Sequence, residues 1–491
     1  MTEHWDGPKG PIKQVPCNSW NSVVAVDFLD IAGLNHNVST IPIYVRQEIV
    51  DLWHLLESST QPTILIYGPP GVGKSVATWA WACYQSASQT VLWVHIPRAV
   101  GPHMVVRLQE GWAQCRPLKS FDELPNIPAN ILILDGVTAE VRVQVALPAG
   151  NWGYTHKGRV VYVTSEQFKF YSEDKEIMDT FHATSWRWEE LQKACESNEF
   201  FAFVKPKLIS NDSMDLDDLK VHVLEERFSL AGGSVRWMFG KTEKEVEDDI
   251  RNAIARCGDL ENLLKGLQGF NSMFAVNHLL GRGANGEHFI ISRWTSYQIA
   301  TQCSLAFLQY AMKHPLRETN PAFDGWLFEV DFLHQLKGAI GLGLDFSHAN
   351  DYWLVPRLIE FHSPNDFVGD ILPSPGSSEV RANIKEIRDG DWLIPTRWNQ
   401  PCFDAAQLCE QKLRFVQVTK AKTHHLLLDR CHKLINALVS IGFQISAIDF
   451  VIVVPLGEEN QFKLGKVTGS LLEWGWKRED LRILGLRRTQ S

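Results

Sequence analysis

Apolar residues in the first half of this chain gather into short unbroken runs at Ile64–Ile66, Val91–Val94, Ile131–Leu134 and Val160–Val163. Runs without strict alternation are the pattern of parallel strands covered on both faces. Between Ile41 and Ser58, apolar positions Ile49, Leu52, Leu55 and Leu56 recur at helical spacing, which predicts a helix leading into the strands. The stretch Ile64–Gln85 passes from a buried-strand signal through a Gly/Pro turn into a helix, so residues 60–205 read as an α/β domain. From Asp212 to Leu267 the period is helical, and His288–Trp294 is strand-like. Beyond Asn320 a helix is predicted over Trp326–Ile340 and strands within 351–362, 391–398, 413–420 and 450–456. Further helices are predicted over His424–Gly442 and Ser470–Asp480. The divisions read from this pattern are an N-terminal extension at 1–59, an α/β core at 60–205, a helical and linker module at 206–300, and a second α/β domain at 301–491.

A length of 491 residues suits about three domains of roughly 150 residues each. With 45% hydrophobic and 21% charged residues the chain is neither disordered, fibrous nor membrane-embedded. A net charge of −9 excludes a uniformly basic nucleic-acid coat, although not a locally basic cleft. Nine cysteines with no CxxC pair speak against a disulfide-built scaffold and against a zinc module, and point to a reducing compartment. The first 20 residues lack an apolar core behind a basic start, so no conventional signal peptide is read. No apolar run approaches the roughly 20 residues a bilayer demands, so no membrane partner is expected.

The sharpest chemical signal is GPPGVGKS: Gly68, Pro69, Pro70, Gly71, Val72, Gly73, Lys74 and Ser75. Glycines let such a loop curl with its amide hydrogens toward phosphate, and the following helix presents its N-terminus to the same charge. Lys74 is expected on the β/γ-phosphates of ATP and Ser75 on Mg2+. Asp135 closes the run Ile131–Leu134, where a second magnesium-binding carboxylate belongs. Gly136 follows it in place of a water-activating Glu, so either Glu166 does that work or turnover is slow and nucleotide acts partly as a switch. Thr164 and Ser165, at the end of the next run, are either γ-phosphate sensors or an ordinary polar strand end.

Gly68–Ser75 and Asp135–Gly136 are joined by SWRWEEL at Ser185–Leu191, RFSLAGGSVRWMF at Arg227–Phe239, and FDAAQL…FVQVTKAKTH between Phe403 and His424. This ordered set, spanning roughly residues 45 to 460, resembles Crinkler effector proteins and the related retrotransposon hot spot proteins. The resemblance implies a P-loop NTPase of AAA+/STAND type with a helical appendage, followed by a restriction-endonuclease-like α/β domain at 301–491. It also implies secretion from oomycetes or fungi and virulence through action on host nuclear DNA. A host nuclear protein partner and a homo-oligomer belong to the same expectation. No Leu-rich LxLFLAK-type segment is recognisable, so the implied route to the host nucleus is non-classical or undetected; a member that never leaves its own cell would be nuclear or cytoplasmic. Within the resemblance Arg236 takes a sensor-like role near the nucleotide, the other reading being a structural ion pair behind a helix cap. Trp186, Trp188 and Trp237 read as packing residues.

Restriction-type nucleases bring carboxylates to one or two magnesium ions, with a lysine that polarises water. Asp404 lies 13 residues before Gln417, and Gln417 and Thr419 share one strand face because the side-chain period is two. In the resembling families a QxT version of the signature occurs, so Gln417 replaces the second acid and Thr419 the lysine. Lys420 or Lys422 would then supply the missing charge, with His424 as a proton shuttle or phosphate ligand. Glu329, backed by Asp331 and Glu360, is the expected helix acid, completing a Glu329, Asp404 and Gln417 metal set. A turn aspartate, a cross-strand amide and an exposed helix acid are the plain alternatives for Asp404, Gln417 and Glu329. Residues 461–491 carry seven basic and three acidic side chains, whereas residues 1–60 carry three and seven, which fits double-stranded DNA at the C-terminal end. The leading expectation is an ATPase coupled to a magnesium-dependent endonuclease. Its rivals are a nucleotide-switched DNA-binding or signalling protein without cleavage and an ATPase acting on a protein partner.

Overall fold

The computed structural model describes residues 5, 10, 20–34, 39–97, 103–165, 178–208, 216–258, 260–264, 278–286, 288–300, 302–303, 321–346, 352–361, 387–395 and 402–487. The chain forms two compact units, Met1–Thr295 and Ser296–Ser491.

In the first unit a short antiparallel pair, β1 (Val23–Val26) and β2 (Ile41–Tyr44), leads to helix α1 (Gln47–Ser58). Next come β3 (Thr63–Tyr67), α2 (Lys74–Gln85), β4 (Val91–His95), β5 (His103–Gln109) and β6 (Trp112–Leu118). Strand β7 (Ile131–Val137), α3 (Ala139–His156), β8 (Arg159–Thr164) and β9 (Met178–His182) complete a seven-stranded sheet of order β6-β5-β4-β7-β8-β3-β9. The strands from β4 to β9 in that order are parallel, and the apolar runs of the sequence fill them. One face packs Trp53 of α1 and Trp79 of α2 against Ile64, Trp93, Ile133 and Val161; the other packs Trp152 of α3 against Leu92, Leu132 and Val160. Large rings buried at these positions are each worth about 3–5 kcal/mol against truncation to Ala. The antiparallel β5–β6 hairpin, turning at Glu110–Gly111 with positive φ, extends the sheet beyond the sequence expectation.

Helices α4 (Trp188–Glu196), α5 (Asn198–Leu208), α6 (Leu216–Ala231) and α7 (Glu243–Ala255) follow, with a π turn at Arg236–Gly240 between the last two. Thr242 opens α7 by accepting from Glu245 N–H while Glu245 reaches back to Thr242 N–H. A hairpin of β10 (Leu280–Arg282) and β11 (His288–Ile290) pairs with the segment after β9 through Ser185.

The second unit contains α8 (Pro321–Gly338), the helix expected there, and the β12 (Gly343–Asp345)–β13 (Tyr352–Leu354) pair. Its main sheet holds β14 (Leu358–Phe361), β15 (Trp392–Pro395), β16 (Ala405–Cys409), β17 (Lys412–Val418), β19 (Ala447–Pro455) and β21 (Arg482–Leu486), in that order. Strands β15, β16 and β17 are an antiparallel meander; helix α9 (Asp429–Ser440) then crosses over so that β19 runs parallel to β17. Strands β18 (Thr423–Leu427) and β20 (Lys463–Thr468) form a separate parallel pair.

Two helix expectations are corrected. His424–Leu427 is strand, so the helix starts only at Asp429. Ser470–Asp480 holds two short 3-10 turns, Leu472–Trp474 and Arg478–Asp480, because Gly475 adopts φ +77° and breaks the helical course between them.

Candidate nucleotide site and a buried carboxyl site

The phosphate motif connects β3 to α2. Gly68 and Gly71 hold positive φ of 151° and 78°, and a Cβ on either would lie 2.3 Å from the Ala183 carbonyl oxygen or 2.5 Å from Ser234 Oγ. Only glycine fits these approaches. Lys74 Nζ donates to the carbonyls of Gly68 and Pro69 at 2.8 and 2.6 Å, so the ammonium lies over the loop it would share with phosphate. Ser75 Oγ donates to Asp135 Oδ1 at 2.6 Å. Asp135 is buried on β7, between β4 and β8, and its other oxygen meets His95 Nδ1 at 2.7 Å. A hydroxyl and a carboxylate side by side are the hard-oxygen donors that magnesium takes, so Ser75 and Asp135 fit that ion.

The loop's outward carbonyls are also held. Arg236 N–H donates to Gly71 O at 3.1 Å, and Trp186 Nε1 donates to Val72 O at 3.0 Å. Arg236 is exposed at the start of the π turn, with its Cβ 3.0 Å from the position a Gly71 Cβ would take. Trp186, read from sequence as a packing residue, therefore also touches the phosphate loop, while Trp188 packs on Phe228 and Trp237 donates to Asp249. Thr164 donates its hydroxyl to Val137 O, which is the polar strand-end reading. Glu166 lies outside the described residues.

Three residues were not legible in the motif. His95 ends an apolar strand in register with Asp135, and a polar residue at the end of such a run was the available signal. Arg227 is buried and donates to the carbonyls of Trp237, Met238 and Lys241, which fixes the π turn; burial pushes its pKa down to about 10. Arg46 joins Glu48 at 2.7 Å and Glu190 at 3.3 Å beneath the Trp186 ring. Burial raises the Glu48 carboxyl above its ordinary range despite that partner.

In the second unit, the hairpin register places Asp404 opposite Gln417. Asp404 Oδ2 accepts from Gln417 Nε2 and from Val418 N–H, both at 2.6 Å. The surrounding protein desolvates this carboxyl and pushes its pKa up to about 7 in spite of those two donors. Gln417 is 4% exposed and its Oε1 has no hydrogen-bond partner. Thr419 Oγ1 accepts from Ala421 N–H at 3.1 Å, Lys420 is half-buried in the turn after β17, and Lys422 is exposed. Burial and the adjacent His425 lower the His424 pKa.

Glu329 is not brought to this pair by the core packing. Gln417 follows Leu413 and Phe415 at a period of two and so shares their sheet face, the one that packs α9. The α8 residues Phe328, Phe332 and Leu336 pack on Val416 and Val418, which point to the other face. Asp331 is buried on α8 and accepts from Gln335 Nε2 at 3.0 Å, and the Glu360 side chain lies outside the described set. Among the described residues no group of three His, Cys, Asp or Glu side chains could hold a metal ion.

No protein-family model matches the chain, and no curated protein matches it in sequence. A solved DNA replication initiation factor aligns over 58% of this chain and 92% of its own, at 10% identity and a TM-score of 0.26. AMPPCP-bound DnaA from Aquifex aeolicus aligns over 54% of this chain and 81% of its own, at 13% identity and a TM-score of 0.25. A signal transduction ATPase with numerous domains and a tetratricopeptide repeat sensor, from Pyrococcus horikoshii, aligns over 65% and 50%, at 12% identity and a TM-score of 0.20. All three likenesses are weak, and none of the three is a Crinkler or retrotransposon hot spot protein. Among the described residues no helix is long and apolar enough to cross a membrane.

Proposed function

We propose that this chain binds ATP with magnesium in its first unit and works as a nucleotide-dependent switch with slow hydrolysis. The observation that carries this reading is the Ser75–Asp135 pair at 2.6 Å beneath a loop whose lysine already lies over it. Lys74 would exchange its two carbonyl partners for phosphate oxygens, and the amides of Gly71, Gly73 and Lys74 would donate to the same anion. Ser75 and Asp135 would hold magnesium, which when bound neutralises phosphate charge. His95 fixes the Asp135 carboxylate from the strand behind. Gly136 supplies no base, so water activation falls to another group and turnover is slow. Arg236 and Trp186, bonded to consecutive loop carbonyls, would pass the state of the loop to the helical segment. Equilibrium binding of ATP with and without magnesium tests this. Tight binding that requires magnesium supports the reading; absence of ATP binding overturns it.

The proposed partner of the second unit is double-stranded DNA. Lys422, Lys463 and Lys466 are exposed on or beside the β18–β20 pair, where Lys463 N–H donates to Lys422 O at 2.8 Å. Such cations neutralise backbone phosphates with strong salt dependence.

A second reading, endonuclease activity, is favoured by the unpartnered Gln417 Oε1 beside Asp404. Asp404 and Gln417 supply one carboxylate and one neutral oxygen, so the cation would be held weakly and the remaining oxygens would come from water or DNA. Nicking of supercoiled DNA at graded magnesium or manganese concentrations separates this from the non-cleaving switch: activity lost in D404A supports it, and no nicking at any concentration discards it.

A further inference from the structure

Two cysteines far apart in sequence meet in the core of the second unit. Cys402 Sγ and Cys431 Sγ are 2.8 Å apart, inside the roughly 3.5–4.0 Å at which non-bonded heavy atoms ordinarily rest. Both side chains are fully buried. Cys402 lies on the chain entering β16, two residues before Asp404, and Cys431 lies in the first turn of α9. Phe403, Leu428, Leu434 and Ile435 belong to the apolar cluster around them. A crosslink there would join the strand entry that presents the Asp404 carboxyl to the helix covering the same sheet face.

We propose that Cys402 and Cys431 are a dithiol pair that closes to a disulfide, a modification site built into the second unit. The oxidant is a small disulfide such as glutathione disulfide. One cysteine, as thiolate, attacks an oxidant sulfur, forming a mixed disulfide and releasing one glutathione thiolate, which takes up a proton. The second cysteine loses its proton and attacks the protein sulfur of that mixed disulfide, expelling the second glutathione. Two S–H bonds are lost and one S–S bond is formed, and the two electrons leave on two molecules of reduced glutathione. Full burial keeps the oxidant from the native pair, so closure belongs to folding or local opening. The same burial shields the finished bond from reductants. The pair is therefore a dithiol in a reducing compartment and becomes a lasting crosslink when the chain folds in an oxidising one.

The test refolds the full-length chain in glutathione buffers from fully reduced to oxidising, then alkylates free thiols and maps peptides by mass spectrometry. The expected result is one intramolecular Cys402–Cys431 peptide, lighter by two hydrogens than its reduced parts. It should persist when the native protein meets a tenfold excess of reduced over oxidised glutathione. The residues are 29 positions apart, and closing a loop of that length should raise the melting temperature of the second unit by about 10 °C. C402A and C431A should each abolish both the crosslinked peptide and the shift. Free alkylation of both cysteines after oxidising refolding, or crosslinks made only by other cysteines, would overturn the proposal. The wild-type peptide map decides it even if a variant fails to fold.

Discussion

Trp186 donates its indole N–H to the carbonyl of Val72 at 3.0 Å, which makes a side chain 114 positions further along the chain part of the phosphate loop's wall. Trp186 also donates its backbone N–H to Gly233 O at 3.0 Å, next to the Ser234–Arg236 segment that crowds Gly71. Replacing the ring with one that cannot donate isolates this link. W186F should cost about 1 kcal/mol of stability by leaving a buried carbonyl unpaired and should weaken ATP binding several-fold. Differential scanning and nucleotide titration on the same samples check it; unchanged affinity would show that the loop does not sense this contact.

Lys74 would contribute a point charge to the proposed phosphate site. K74A should weaken ATP binding by roughly 1.5–3 kcal/mol, about 10- to 150-fold, while leaving the fold intact. Titration calorimetry with circular dichroism as a folding control measures both. Equal affinity in K74A and wild type would remove the assignment.

Gly136 stands where many ATPases place a glutamate, and the backbone explains why none is tolerated. Its φ is +84°, and a Cβ there would lie 2.6 Å from the Ile96 carbonyl oxygen. G136A should therefore destabilise the first unit by roughly 1–3 kcal/mol. G136E should not accelerate hydrolysis. Steady-state rates across a protein concentration series should be low when dilute; fast turnover at the lowest concentration would exclude the switch.

Arg227 supplies donors to three carbonyls of the segment that carries Arg236. R227A should lower stability by about 3 kcal/mol, because buried acceptors lose a charged partner. R227K keeps charge without the planar fork and should recover only part of it. Chemical denaturation of both variants reads the ordering.

Asp404 gives the second unit a pH signature. Its folded pKa of about 7 lies above the 3.8 of an unperturbed carboxyl, so the folded state holds the proton more tightly than the unfolded chain. The stabilisation is fully present below about pH 4 and is lost as pH rises through about 7, a change on the order of a few kcal/mol. Denaturation midpoints should fall over that interval, and D404N should flatten the slope. A wild-type slope retained in D404N would assign the effect to another group.

The strand–loop–helix around Gly68–Ser75 is legible because it is local: Gly68 to Ser75 is one uninterrupted segment, and Asp135 ends a visible apolar run. The hairpin partners Asp404 and Gln417 were legible for a related reason, since a period of two and a tight turn fix the register. Tertiary packing, which spacing does not encode, chooses the face. Glu329 sits on a correctly predicted helix, yet Phe328, Phe332 and Leu336 carry that helix to the side of the sheet away from Gln417. Strands β5 and β6 were hidden by polar interruptions and by Pro117, which an outermost strand tolerates. The Cys402–Cys431 pair depends on a contact between distant segments, and spacing carries no trace of it.

The strand order of the first sheet has a consequence for synthesis of the chain. Strand β3, which bears the phosphate loop, lies between β8 and β9, and Tyr67 at its end meets His182 from 115 positions downstream. As the polypeptide emerges from the ribosome N-terminus first, β3 waits until Thr164 for its first permanent neighbour, β8, and until His182 for its second, β9. The surroundings of the loop after β3 are thus completed late, and nascent chains released before Met178 would display an unpaired edge of an apolar strand, a ready target for chaperones.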